Sequence, residues 1–67
     1  MELKLARQIA GLTQQQLAKK AGVDAALISR LERQRRPRPS YDAIVRIARA
    51  LNCAPDELFP VETKGAA

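Results

Sequence analysis

Gly22 constrains the architecture of this chain more than any other residue. Only Val23 separates it from Asp24, so one element must stop and the next must start almost at once. The run before it opens Thr13-Gln14-Gln15-Gln16, a Thr-x-x-Gln capping box. In that box the Thr13 hydroxyl accepts from the amide of Gln16, and the Gln16 side chain reaches back to the amide of Thr13. Leu17, Ala18 and Ala21 then recur at helical spacing, and Leu27, Ile28 and Leu31 do the same after the glycine. Glycine takes the left-handed backbone that closes a helix. Asp24 reads as the N-cap of the next helix, its carboxylate satisfying an orphan amide and complementing the helix dipole. Two helices joined by so short a glycine turn meet at a steep angle, the helix-turn-helix arrangement.

The remaining punctuation is Gly11, Pro37 with Pro39, Asn52 with Pro55, and Pro60, and it cuts the chain into five helical segments. The first, Glu2–Ala10, places Leu3, Ala6 and Ala10 on one face, and Gly11 suits a left-handed stop. Gln34–Pro39 is not helical, because proline removes a donor and pushes the residue before it into an extended conformation. Ser40 caps a fourth helix, Tyr41–Leu51, with Ile44, Ile47, Ala48 and Leu51 facing inward and Val45 at the edge. In the short fifth segment Pro55 fits the first turn, Asp56 and Glu57 sit at the positive end, and Leu58 and Phe59 close the core. The expectation is an all-α, compact five-helix domain over residues 1–60 with a flexible tail, 61–67.

What holds so small a domain together is restricted by its composition. A chain of 67 residues buries only about 60% of the surface its unfolded form exposes. Cys53 is the one cysteine and there is no histidine, so neither an intrachain disulfide nor a structural zinc site can form. Helix packing and self-association remain, and Cys53 reads as a packing residue. The same residues are missing from catalysis: without histidine there is no usual base for a serine or cysteine nucleophile. Asp56 and Glu57 point about 100° apart on a helix, so they are no facing acid–base pair. The longest apolar run, Ala25–Ile28, falls far short of the ~20 residues of a membrane span, and no apolar leader follows Met1. The expectation is a cytoplasmic, non-enzymatic protein with no cofactor, metal, membrane or small-molecule partner.

Charge points to the partner. Lys and Arg number 12 against 7 Asp and Glu, a net charge of +5. Five arginines (Arg30, Arg33, Arg35, Arg36 and Arg38) crowd one stretch that holds the single acid Glu32, while Asp56, Glu57 and Glu62 make the end of the chain acidic. One basic face suits a polyanion; solvated loops also carry such runs.

The order and spacing of these residues resemble the Xre/lambda-repressor-like (Cro-type) helix-turn-helix family. Leu12-Thr13-Gln14-Gln15-Gln16-Leu17-Ala18 with Ala21-Gly22-Val23 is similar to its second helix and turn, and Ile28-Ser29-Arg30-Leu31-Glu32-Arg33 to its recognition helix. Pro39-Ser40, Ile44, Ile47-Ala48, Ala50-Leu51 and Asp56-Glu57-Leu58-Phe59 are similar to its fourth and fifth helices. Gln34 departs from the pattern, standing where the family usually has glycine, which implies a left-handed turn or a slightly longer helix there. The loop that follows, Arg35–Arg38, is a residue longer than the commonest version.

The resemblance implies a sequence-specific regulator of transcription that binds double-stranded DNA, a dimeric repressor inserting helix 24–33 into the major groove. It assigns base reading to Ala25, Ala26, Ser29 and Arg30. The alanines offer apolar contact to thymine methyl groups, and Arg30 a bidentate contact to guanine. Asp24 either caps the helix or accepts from cytosine. Gln14, Arg35, Arg36, Arg38 and Ser40 are the phosphate contacts it implies, and Arg7 with Glu32 a partly buried structural salt bridge. A homodimer is expected through Asn52, Cys53, Leu58, Phe59 and Val61, or through Leu5 and Ile9, which share a face one turn apart. The alternatives are an antitoxin-type module that binds a toxin and autoregulates, and a restriction–modification control protein.

Overall fold

The computed structural model describes residues 2–34 and 39–59. Among them lie five helices and no strand: α1 (Leu3–Ile9), α2 (Gln14–Ala21), α3 (Ala25–Arg33), α4 (Tyr41–Ala50) and α5 (Pro55–Leu58). The expected tail, 61–67, and the basic segment 35–38 lie outside the described residues.

Three of these helices end by the same device. At Gly22 the backbone turns left-handed (φ +75°), the Val23 amide donates to the Ala18 carbonyl at 2.9 Å, and the Gly22 amide donates to Ala18 and Lys19. This is the Schellman arrangement, which satisfies carbonyls that a helix end would otherwise leave unpaired. Gly11 and Leu12 close α1 in the same way onto Gln8 and Arg7. Asn52 and Cys53 close α4 onto Arg49 and Ala48, with Asn52 at φ +55°. The residue after each left-handed position is Leu12, Val23 or Cys53, and each packs against the core. That contact seals the stop and gives Cys53 its place: its Sγ donates to the Leu51 carbonyl at 3.4 Å, and the thiol is half-buried.

Helix starts follow the expectation less uniformly. Both halves of the box at α2 are present, Thr13 Oγ1 accepting from Gln16 at 3.0 Å and Gln16 Oε1 from the Thr13 amide at 2.9 Å. Ser40 Oγ accepts from the Ala43 amide at 3.2 Å. Asp24 occupies the N-cap position of α3 but makes no side-chain capping bond. Its carbonyl instead accepts from the amides of Leu27 and Ile28. Gln34 takes neither expected course. It is extended (φ −83°, ψ 140°), so the chain leaves α3 directly and no bulky residue has to adopt a left-handed backbone.

Leu17, Ile28 and Ile47, one each from α2, α3 and α4, are fully buried and form the centre of the core. Around them pack Leu3 and Ala6 of α1, Ala18, Ala21, Leu31, Ala48, Ala50 and Leu51, with Leu58 of α5 and Phe59 just after it completing the core. Many of these are alanines, which let helices approach closely at the cost of little buried area per residue. Ala10, expected inward, is the C-cap of α1 and is exposed; Leu27 and Ile44 are only half-buried. No helix among the described residues is long and apolar enough to cross a membrane.

Candidate nucleic-acid interface

The two inward side chains of α3, Ile28 and Leu31, are buried and set the roll of the helix. At 100° per residue this turns Ala26, Ser29, Arg30 and Arg33 onto the opposite side as one stripe. Ala26, Arg30 and Arg33 are exposed and Ser29 is half-buried. Ala25 sits at the edge: its methyl packs partly against the core, so less of it faces outward than the residue type implies. Asp24 is exposed, and its carboxylate is not spent on capping. Arg33 was not among the expected base readers, although its spacing from Ala26 and Arg30 (i, i+4, i+7) puts it in the middle of the stripe. The helical period alone was the signal that could have found it.

The first turn of α2, which touches α3 through Gln14 and Glu32, offers backbone amides with no intrahelical partner at the positive end of the helix. Gln14 is the first residue of that helix and is half-buried. A shallow groove beside it is lined by Arg7, Gly11, Leu12, Thr13 and Gln15 among others. Ser40, the cap of α4, is exposed. Arg35, Arg36 and Arg38, the other expected phosphate contacts, lie outside the described residues.

An ion pair ties α1 to α3. Arg7 Nε and Nη2 donate to Glu32 Oε2 and Oε1 at 2.6 and 3.1 Å, the two-pronged geometry of a strong charge-assisted contact. Arg7 Nη1 donates to the Leu12 carbonyl at 2.8 Å. The side chains are only 12% and 4% exposed. Burial alone would push the Glu32 carboxyl up. The hydrogen bonds from Arg7 and Gln14, with the charges of Arg7 and Lys4, outweigh it and hold the carboxyl below its ordinary value. The hydrogen bond to Glu32 raises Arg7 in turn, against a smaller opposing effect of burial. The contact from Gln14, Nε2 donating to Glu32 Oε1 at 3.1 Å, was not foreseen, and no local spacing in the sequence announces it.

Of the expected dimer surface, Leu58 and Phe59 are buried in the chain's own core, Cys53 is half-buried, Asn52 is exposed, and Val61 lies outside the described residues. The apolar surface at that junction is therefore smaller than the residue types imply. Leu5 and Ile9 are 49% and 70% exposed. No cluster of metal-ligating side chains occurs among the described residues.

A helix rolled outward over a buried back, reached through a short glycine turn from a capped helix, is the core of a helix-turn-helix DNA-binding domain. A family model described as "Helix-turn-helix domain" matches residues 1–59, and the chain belongs to that family. The match agrees with the resemblance to the Xre/lambda-repressor-like branch. Neither the curated proteins nor the solved structures contain a match to the chain.

Proposed function

We propose that this chain is a sequence-specific regulator of transcription, a repressor that acts as a dimer and inserts residues 24–33 into the major groove of double-stranded DNA. The observation that carries the reading is the outward stripe Ala26, Ser29, Arg30 and Arg33 on a helix whose other face is locked by Ile28 and Leu31. Arg30 reads guanine through O6 and N7, and Ala26 meets a thymine methyl group. Ser29 tolerates any base. Arg33, one turn nearer the end of the helix, takes a phosphate or a flanking base. Gln14, the first amides of α2, Ser40 and the arginines 35, 36 and 38 grip the backbone and set the register.

With one arginine reading bases and several donors on phosphate, positioning outweighs specification, and a single copy discriminates weakly. Two copies on a palindrome add their free energies, which supports the dimer. Since Leu58 and Phe59 are spent on the core, Leu5 and Ile9 are the better-exposed apolar pair for that contact. Regulation by this route involves no catalytic step and no cofactor.

Selection from a random duplex library tests the reading. Enrichment of a two-fold repeat with half-sites about one helical turn apart is expected. A library from which nothing enriches, with every duplex bound alike and released together by salt, would refute sequence-specific regulation.

A further inference from the structure

We infer that Glu32 is a positioning residue for phosphate binding: its carboxylate fixes the side-chain amide of Gln14 in the orientation that presents the second amide hydrogen to the DNA backbone. The inference rests on the DNA-binding reading and adds to it a residue that itself touches no DNA.

Glu32 ties three helices through one carboxylate. Oε2 accepts from Arg7 of α1, and Oε1 is shared between Arg7 and Gln14, the first residue of α2, each at 3.1 Å. The Glu32 side chain is 4% exposed, so its own rotamer is set by packing. A glutamine amide carries two hydrogens on Nε2, and Glu32 accepts one of them. The other can be given to a phosphate, and on the same turn the backbone amides of Gln14 and Gln15 have no intrahelical acceptor; the Gln16 amide is already taken by Thr13. One side-chain donor and two backbone donors thus belong to the first turn of α2.

An untethered glutamine would sample several rotamers and lose that freedom on binding. Held by Glu32 it is organised in advance, which lowers the entropic cost of the contact. A bare carboxylate so close to a phosphate would repel it. The two-pronged pairing with Arg7 neutralises that charge, so the arrangement needs both partners. The tether also runs from α2 to the last turn of α3 and couples the phosphate grip to the reading helix.

A double-mutant cycle tests this on the full chain, using a duplex of mixed sequence at low salt. Circular dichroism confirms that each variant is folded at the temperature used. Gln14→Ala is expected to weaken binding about tenfold, the loss of one hydrogen bond to a charged group. Glu32→Leu, which leaves no oxygen to accept from Gln14, should weaken it comparably in the wild-type background and by less than about twofold in the Gln14→Ala background. Losses that simply add would show that Glu32 acts on the fold alone and would overturn the inference. Should Glu32→Leu fail to fold, the Gln14 side-chain amide of the wild type, followed by NMR, decides. One proton held rigidly before and after DNA is added, with the other shifting on binding, supports the tether. Two protons averaging freely in either state overturn it. Wild-type protein that binds no duplex would defeat the DNA-binding reading itself, whereas additive losses leave that reading intact.

Discussion

Arg30 and Glu32 lie two residues apart on α3 and face opposite ways, one exposed and one with its side chain 4% exposed. Their substitutions should therefore separate cleanly. Arg30→Ala removes no buried contact, so its melting temperature should stay near that of the wild type while it loses preference at one base pair. Glu32→Gln acts on stability, and on binding only through the Gln14 contact, without altering base preference. It leaves the Arg7 guanidinium, 12% exposed, without its counter-charge, and breaking a largely buried pair by removing one partner costs roughly 3 kcal/mol. The Glu32 carboxyl titrates lower when folded than when unfolded. Its contribution is therefore complete above the unfolded carboxyl's pKa and lost as pH falls through the folded one. Melting temperatures measured from neutral to acidic pH should fall more steeply for the wild type than for Glu32→Gln. Parallel curves would mean that the pair does not couple to folding.

At the scale of elements, the turn between α2 and α3 carries the largest local demand. A Cβ at Gly22 would be left-handed at φ +75° and would meet Arg46 Nη1 at 3.1 Å. Arg46 is itself held by Asp42 one turn earlier on α4, Nε donating to Oδ2 at 2.7 Å. Gly22→Ala should then destabilise by about 1–2 kcal/mol from the backbone alone. Adding Arg46→Ala should recover only the part due to the contact, which denaturant melts of the single and double variants would resolve. Complete rescue would place the cost in the contact and not in the backbone. Thr13→Ala, which removes one bond of the α2 box, should cost about 1 kcal/mol by the same measurement.

These elements were legible in the sequence because their signals are local. Thr13, Gln16, Gly22 and Ser40 act within a turn of their own helix, and they bond or bend where their types predict. Asp24 shows the limit: residue type and position mark an N-cap, but the side-chain rotamer decides whether the bond forms, and here it does not. Gln34 shows another, since a helix can end by extending as well as by turning left-handed. Among candidate site residues, the stripe on α3 follows from period and burial, including Arg33. The tether from Gln14 to Glu32 depends on where α2 meets α3 in space, which no spacing of residues along the chain encodes.

For the molecule as a whole, the thin core and the basic stretch make opposite demands. Clustered arginines repel one another and need a counter-charge, which a phosphate backbone supplies. DNA should accordingly stabilise the fold, raising the melting temperature with duplex concentration by mass action. It should do so less at high salt, where counterion release weakens binding.

The most direct test of the central claim, that α3 reads bases through Arg30, pairs the Arg30→Ala variant with single-base substitutions in an enriched duplex. The wild type should lose about ten- to a hundredfold in affinity when one particular guanine per half-site is replaced, and Arg30→Ala should be indifferent to that same replacement. If Arg30→Ala instead weakens binding to every duplex alike and keeps the full penalty at each base, Arg30 grips only the backbone and α3 is not read through it.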